Sequence, residues 1–140
     1  LQDALYVAWR TPRVAAINQF RVSDGSIRGK GPLAFREFQS GLWFANGKSK
    51  PSASTFPNPI VVRASGRSKL VVWGQVRVGG AHAVVVERRA AGAKAFKAVL
   101  KLRTGSAGWF QRRIARRAGS YRYRWSDAAG KGVSQAIAIR

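Results

Sequence analysis

Cysteine and methionine are absent from the sequence, and His82 is the only histidine. The lack of cysteine excludes disulfide bonds, thiol redox chemistry, cysteine nucleophiles and zinc sites built from cysteine and histidine. Acidic residues are also scarce, since 5 carboxylate side chains are set against 26 lysines and arginines in 140 residues. The sequence therefore predicts no cofactor and offers little material for paired-carboxylate catalysis. The acidic residues are far apart in the chain: Asp3, Asp24, Glu37, Glu87 and Asp127.

Long apolar runs are missing as well. Apolar runs such as residues 70–73 and 83–86 are far too short to cross a bilayer. No basic segment followed by an apolar one opens the chain, and its first residue is Leu1 rather than methionine. We therefore expect a processed form or a piece of a longer protein, without a membrane span. A folded core is expected, because 46% of the residues are hydrophobic and 11% are aromatic.

Charge is distributed unevenly along the chain. Residues 1–60 contain 8 basic and 3 acidic side chains, whereas residues 61–140 contain 18 and 2. Pro57 and Pro59 lie just before this shift, and each restricts the preceding residue to an extended conformation. Residues 55–60 are therefore predicted to form a stiff connector. The sequence predicts two parts, residues 1–60 and residues 61–140.

The second part alternates strictly between apolar and polar residues, with glycine-containing turns at short intervals. Seven short strands at this spacing predict an antiparallel β-sandwich of immunoglobulin or fibronectin type III character, without the inter-sheet disulfide. The predicted strands are residues 60–64, 69–78, 82–89, 96–103, 108–116, 120–126 and 133–139.

One strand has an informative pattern. A period of two sends Tyr121, Tyr123 and Trp125 to one face, which would fill the core, and Arg122 and Arg124 to the other. Tyr121 follows a glycine-containing turn, the position of the tyrosine corner whose phenol bonds back to the backbone. An ordinary amphipathic strand is the alternative interpretation.

The first part has a different pattern. Leu1, Leu5, Ala8 and Trp9 have the spacing of the apolar face of a helix, which Pro12 would end. Residues 14–22 predict a strand, and a glycine-rich loop follows at residues 25–31. These elements are too few to bury the aromatic cluster that comes next, so we expect the end of a larger domain or a segment that packs on the sandwich. The cluster consists of Phe35, Phe38, Leu42, Trp43 and Phe44.

Residues 38–51 contain a spaced motif, namely Gly41-Leu42, then Gly47, then Lys50-Pro51. This motif resembles the closing segment of bacterial glycoside hydrolases of the retaining (β/α)8-barrel clan, where such a run leads from the last barrel loop into the last helix. The resemblance covers about residues 1–60 and identifies residues 14–24 as the eighth barrel strand. Lys50 and Pro51 are then structural, with proline at the first turn of a helix.

The resemblance implies a chain without the catalytic pair of such an enzyme. In that clan the acid/base and nucleophile glutamates lie at the ends of the fourth and seventh strands, which would both precede Leu1. Glu37 and Glu87 match neither position, so we expect the chain alone to be inactive. Loops after the barrel strands form the sugar site, and each candidate there could instead be a packing residue. The candidate sugar contacts are Gln19, Phe20, Phe38 and Gln39, with Trp43 as a stacking platform.

Arginines cluster in three predicted strands of the second part. If these strands are neighbours, the outer face of one sheet attracts nucleic acid, acidic polysaccharide or anionic cell-wall polymer. A GC-rich genome is the alternative explanation, because arginine exceeds lysine by 18 to 8, and no nucleic-acid motif is present. The candidates are Arg88 and Arg89, Arg112, Arg113, Arg116 and Arg117, and Arg122 and Arg124.

His82 precedes an apolar run and is interpreted as a surface imidazole. Serine-histidine-aspartate catalysis would need Asp24 or Asp127 to reach it through folding.

Two hypotheses follow. The first is a non-catalytic C-terminal accessory portion of a secreted or cell-surface bacterial glycoside hydrolase. In this hypothesis a barrel remnant of helix, strand and loop precedes the sandwich. The parent enzyme, of which the chain is a part, binds the carbohydrate. The second is a stand-alone cationic β-sandwich that binds polyanions.

Overall fold

The alternating segment around Tyr123 forms a central strand of a two-sheet sandwich. A computed structural model of the chain describes residues 1–27, 29–31 and 38–140. The chain divides into two compact units, made up chiefly of Asp3–Phe56 and Pro57–Arg140. Parts of the predicted glycine-rich loop and aromatic cluster, and Glu37, lie outside the described residues.

The second unit consists of two antiparallel sheets. The first sheet has the order β1-β2-β5, with strands β1 (Ile60–Ala64), β2 (Lys69–Gln75) and β5 (Trp109–Ala115). The second has the order β4-β3-β6-β7, and β8 also pairs with β6. Its strands are β3 (Ala83–Arg89), β4 (Lys97–Arg103), β6 (Gly119–Asp127), β7 (Gly130–Val133) and β8 (Ile137–Ile139). The predicted mainly β architecture with packed antiparallel sheets is confirmed.

The strand count differs from the prediction because the last predicted strand is divided. Its two pieces, β7 and β8, both pair with β6. Between them the Oγ of Ser134 accepts the backbone N–H of Tyr123 at 2.9 Å, in place of a main-chain carbonyl, and the N–H of Ser134 donates to the Tyr123 carbonyl. A side-chain hydroxyl thus replaces one ladder bond, which interrupts the strand without breaking its attachment to β6.

The alternation predicted for β6 is confirmed. Tyr121, Tyr123 and Trp125 are buried, while Arg124 on the other face is exposed. The core lies between the sheets and is built from residues of both: Ile60, Val62, Leu70, Val72, Val76, Val84, Val86, Phe110, Tyr121, Tyr123 and Trp125.

Two tyrosine hydroxyls fix the sandwich from inside. Tyr121 donates its hydroxyl hydrogen to the carbonyl of Arg117 at 2.8 Å, which is the bond expected of a phenol beside the turn. Tyr123 donates to the carbonyl of Gln75 at 2.5 Å and so links β6 of one sheet to β2 of the other. Burial raises the pKa of the Tyr123 phenol, which keeps it a donor.

A glycine in β2 makes room for the central aromatic pair. Phe110 and Tyr123 meet edge to face with their ring centroids 5.1 Å apart. A Cβ atom on Gly74 would lie 2.7 Å from the Phe110 ring and 2.9 Å from the Tyr123 ring. The absence of a side chain at this position is therefore a packing requirement.

The outer strand β4 has a cationic, exposed edge. Lys97, Lys101 and Arg103 are all exposed along it. Charged side chains on an edge strand oppose pairing with another sheet.

The first unit contains two short helices. The predicted N-terminal helix is present as α1 (Gln2–Arg10), although its buried residues are Leu5 and Tyr6 while Leu1 and Trp9 are largely exposed. The second helix, α2 (Pro51–Thr55), has its proline in the first turn, as predicted for Lys50-Pro51. Within the described residues, neither this unit nor the sandwich contains a helix with the length and apolar character needed to cross a bilayer.

The predicted strand at residues 14–22, and with it the eighth barrel strand at 14–24, is wrong. These positions form no ladder with any described strand, and Val14, Ile17 and Phe20 are exposed. Only single bridges join Ser23 to Trp43 and Trp43 to Ser49. An apolar run becomes a strand only when a partner strand satisfies its backbone groups, and none of the described segments does so here.

Candidate functional site

A buried ion pair organises the closing segment of the first unit. The Oδ1 atom of Asp24 accepts hydrogen bonds from the Nζ of Lys50 at 2.6 Å and from the N–H of Gly41 at 2.9 Å. The same ammonium group donates to the carbonyl of Gln39 at 2.9 Å. The Asp24 side chain is 3% exposed, so this contact holds residues 39–41 and 50 at one point. The structural role predicted for Lys50 has a physical basis here, whereas the sequence suggests Asp24 only as a possible partner of His82.

Gly41 is required by this arrangement. A Cβ atom there would lie 2.5 Å from the backbone N of Asp24 and 2.5 Å from the backbone C of Ser23. Contacts this short with backbone atoms cannot be relieved by rotating a side chain. The Gly-Leu element of the motif thus coincides with a close approach of two backbone segments.

Four of the five candidate sugar contacts come together beside this ion pair. The rings of Phe20 and Phe38 meet edge to face at 5.3 Å, and the two side chains are 74% and 63% exposed. The side-chain amide of Gln19 donates to the carbonyl of Ser40 at 2.5 Å, and that of Gln39 donates to the carbonyl of Gly25 at 3.0 Å. Each exposed ring is therefore next in sequence to a glutamine whose side-chain amide is held by a hydrogen bond. We call Gln19, Phe20, Phe38 and Gln39 the aromatic platform.

Trp43, the fifth candidate, lies on the neighbouring segment. Its side chain is half-buried, and its backbone bridges Ser23 and Ser49. Its carbonyl accepts the N–H of Asp24 at 2.9 Å. The backbone of Trp43 therefore takes part in the same closing segment as the ion pair.

The prediction that His82 lies on the surface is wrong. The residue is 3% exposed, its Nδ1 is 2.8 Å from Oδ2 of Asp127, and its ring centroid is 4.9 Å from that of Trp125. Its Nε2 contacts the carbonyl of Gly79, and because a carbonyl only accepts, Nε2 is the donor. Both ring nitrogens are engaged in structural bonds, so neither is available as a general base.

Asp127 and His82 join the last residue of β6 to the residue that precedes β3. The hydrogen bond from His82 holds the pKa of the Asp127 carboxyl below its ordinary value. The backbone of His82 is fixed in turn, because its N–H donates to Oγ1 of Thr104 at 2.9 Å. The bonds of His82 therefore fix the ends of neighbouring strands and do not form part of a catalytic triad.

Glu87 holds two arginines on the outer face of the second sheet. Its Oε2 accepts from Nε of Arg122 at 2.9 Å, and its Oε1 accepts from Nε of Arg124 at 2.7 Å. The carboxylate is buried, at 6% exposure, while both guanidinium groups reach solvent. Burial favours the neutral acid, but the bonds from Arg124 and Arg122 outweigh it and keep the pKa of Glu87 below its ordinary value.

Phe96 extends this cluster to a third guanidinium. The Cζ atom of Arg122 lies 4.0 Å from the centroid of the Phe96 ring, and that of Arg89 lies 5.0 Å from it. Both distances are within the range of cation–π attraction. We call Arg89, Arg122 and Arg124, with Glu87 and Phe96, the guanidinium cluster.

The remaining candidate arginines do not join one sheet face. Arg112 and Arg113 lie on β5, which belongs to the other sheet, while Arg116 and Arg117 follow the end of β5. Arg88 lies opposite Tyr121 and donates from Nε and Nη2 to the carbonyl of Ala118 at 2.9 and 2.6 Å. The candidate arginines are thus divided between two sheets instead of sharing one outer face, and of them only Arg89, Arg122 and Arg124 form a cluster.

No group of three or more potential metal-ligating side chains occurs among the described residues. Comparison with protein-family models, with curated proteins and with solved structures gives no match to this chain.

Proposed function

We propose that the chain is a non-catalytic, C-terminal accessory portion of a secreted or cell-surface bacterial glycoside hydrolase, and that its first unit contributes a wall of the sugar site. The observation that carries this proposal is the aromatic platform, in which the exposed rings of Phe20 and Phe38 meet and the residue next to each ring, Gln19 or Gln39, has a hydrogen-bonded amide. Exposed aromatic faces suit the apolar C–H face of a sugar ring, and amides suit its hydroxyls.

In the proposed enzyme, both catalytic glutamates belong to the remainder of the barrel and not to this chain. The resemblance of Gly41-Leu42, Gly47 and Lys50-Pro51 to the closing segment of the retaining barrel clan supports the same assignment.

The coding sequence upstream of Leu1 tests the assignment directly. We expect an open reading frame that continues upstream and contains a glutamate at the end of a predicted strand shortly before Leu1. A start codon immediately before Leu1 would contradict the hydrolase proposal.

A binding experiment tests the aromatic platform. In affinity electrophoresis through soluble neutral glucans, xylans and mannans, we expect at least one polysaccharide to retard the chain. Phe20→Ala and Phe38→Ala should each weaken that interaction about fivefold, the value of about 1 kcal/mol for one aromatic contact. Phe44→Ala is the matched control, because Phe44 is an exposed ring of the same unit outside the platform. An equal effect of all three changes would contradict the proposal.

We propose that the sandwich is of the fibronectin type III kind. In the constant-type immunoglobulin sandwich the fourth strand belongs to the sheet of the first two strands. Here β4 pairs with β3 in the opposite sheet, which favours the fibronectin arrangement. The bond from the Tyr121 hydroxyl to the Arg117 carbonyl has the geometry of the tyrosine corner of such sandwiches.

A second function, polyanion binding by the sandwich, is favoured by a separate observation. Residues 61–140 contain two acidic side chains, and both form ion pairs, Glu87 with two arginines and Asp127 with His82. These two carboxylates are set against 18 basic side chains in residues 61–140, so the unit keeps a large excess of positive charge. Retention on immobilised heparin should be strong at low salt and fall steeply with salt, as counterion release requires. Retention that is absent at low salt or insensitive to salt would contradict this function.

A further inference from the structure

The guanidinium cluster is built on the pleat of the second sheet. Arg122 and Arg124 are two residues apart on β6, so their side chains leave the same face about 7 Å apart. Glu87 on β3 lies directly opposite Arg122 in the ladder, and Val85 lies opposite Arg124. The carboxylate therefore lies within reach of both guanidinium groups.

Glu87 orients these groups without using all their donors. Each arginine gives its Nε–H to a different oxygen of Glu87, at 2.9 and 2.7 Å. A guanidinium has five N–H donors in one plane, so the terminal Nη groups of both arginines can donate to other acceptors. A buried carboxylate thus holds two planar donor groups in place before any ligand arrives, which reduces the entropy lost on binding.

Stacking on Phe96 fixes the plane of one of these groups and adds a third cation. The centroid of its half-buried ring lies 4.0 Å from Cζ of Arg122 and 5.0 Å from Cζ of Arg89. The cluster then contains three guanidinium groups and one carboxylate, so it keeps a net positive charge. Planar, weakly hydrated guanidinium groups suit the paired oxygens of carboxylate and sulfate groups.

The surface of the sandwich favours a polyanion that has no bases. Every residue of this unit is described, and its exposed large hydrophobic residues are Val78, Val99 and Val133, none of them aromatic. Phe96 already has two guanidinium groups against its ring. Trp109, the other half-buried ring, packs against Trp73. Single-stranded nucleic acid is usually bound by stacking its bases on available aromatic rings, and no aromatic residue of this unit is among the exposed ones.

We infer that the guanidinium cluster is a binding site for an acidic polysaccharide, in which Arg122, Arg124 and Arg89 bind carboxylate or sulfate groups and Glu87 is the positioning residue. This inference rests on the proposed polyanion-binding function and deepens it, since it locates the binding site and names the polymer. Exposed cations elsewhere on the sandwich then contribute only general attraction.

The experiment compares variants of equal charge by isothermal titration of the full chain. The probes are oligosaccharides of heparin, which carry sulfate, oligomers of polygalacturonate, which carry only carboxylate, and a single-stranded DNA of similar total charge. Arg122→Gln/Arg124→Gln should weaken binding of at least one oligosaccharide about tenfold, as expected when two charge-assisted contacts are lost. Arg112→Gln/Arg113→Gln removes the same charge from β5 of the other sheet and should weaken binding of that oligosaccharide less than threefold.

Glu87→Gln separates orientation from net charge. This change makes the chain more positive, so a general attraction to polyanions would become stronger. If Glu87 positions the arginines, binding should instead weaken about threefold or more. Phe96→Ala keeps the charge and the Glu87 contacts and should also weaken binding, which provides a second variant if Glu87→Gln fails to fold. Near-ultraviolet circular dichroism of the buried tryptophans and tyrosines checks the fold of each variant.

The outcomes distinguish this inference from the function on which it rests. If the unchanged chain binds none of the three probes at low salt, polyanion binding itself is wrong. If it binds, but the β6 and β5 double variants lose affinity equally, the polyanion function stands and the guanidinium cluster is not its site. If DNA binds more tightly than both oligosaccharides and depends on Arg122 and Arg124, the assignment to a polysaccharide is overturned.

Discussion

At the scale of single residues, both acidic side chains of the sandwich are held in hydrogen bonds to basic side chains. Glu87 accepts from two arginines and Asp127 from His82. In both cases the folded chain holds the carboxyl pKa below its ordinary value. The folded state therefore favours the ionised form, and protonation of either acid opposes folding.

We predict that the chain loses stability in acid through these two groups. Their contribution is complete above the ordinary carboxyl values of about 4 and is lost as the pH falls through the lower folded values. Urea unfolding followed from pH 6 to pH 2.5 at constant ionic strength should show a falling midpoint below about pH 4.5. In Glu87→Gln the midpoint should be lower at pH 6 and fall less in acid. Parallel curves for the two proteins would contradict this assignment.

The two buried tyrosines permit a sharper comparison. Tyr123→Phe removes the hydrogen bond from the hydroxyl of a fully buried ring to the carbonyl of half-buried Gln75, and it should cost about 1–3 kcal/mol because this acceptor loses its donor between the sheets. Tyr121→Phe removes a bond to the Arg117 carbonyl, a residue that is itself exposed, and should cost about 0.5–1.5 kcal/mol because water can replace the donor. Urea denaturation at neutral pH measures both, and a larger loss for Tyr121→Phe would contradict the reasoning.

At the scale of elements, strict alternation was sufficient to predict the strands of the sandwich but not their exact division. The pattern in β6 predicts the three buried aromatics, because period two is itself the physical cause of their burial. The interruption at Ser134 could not be predicted, since it depends on a side-chain oxygen that meets the Tyr123 amide only after folding. Residues 14–22 were predicted as a strand on apolar content alone, which says nothing about a partner strand.

The ion pair of Asp24 and Lys50 gives a prediction for the closing segment. Lys50→Met leaves the Asp24 carboxylate buried without its cation, which should destabilise the first unit by about 3–5 kcal/mol. Hydrogen exchange at the amides of Gly41 and Lys50, which bond to Asp24 and to the Leu42 carbonyl, should accelerate accordingly.

The double change Asp24→Asn/Lys50→Met is the control for that prediction. It removes both charges, so the loss of stability should be smaller than that of Lys50→Met alone. Equal acceleration of exchange in the single and double variants would show that the ion pair does not hold this segment.

At the scale of the whole molecule, the division of charge was visible in the sequence, whereas its geometry was not. Counting side chains places most of the positive charge on residues 61–140. Whether Arg112 adjoins Arg122 depends on sheet order, and the two arginines belong to different sheets. The same holds for His82, whose burial follows from the approach of Asp127 across 45 residues of chain. Contacts of this kind come from tertiary topology, which local pattern does not encode.

The exposed cations of β4 also determine how copies of the protein behave toward one another. Edge-to-edge approach of two sheets would bring Lys97, Lys101 and Arg103 of one copy against those of another. Their mutual repulsion extends over about 30 Å at 0.01 M salt but only about 3 Å at 1 M. Concentrated solutions should therefore scatter more light as salt is added, and dilution of the salt should clear them.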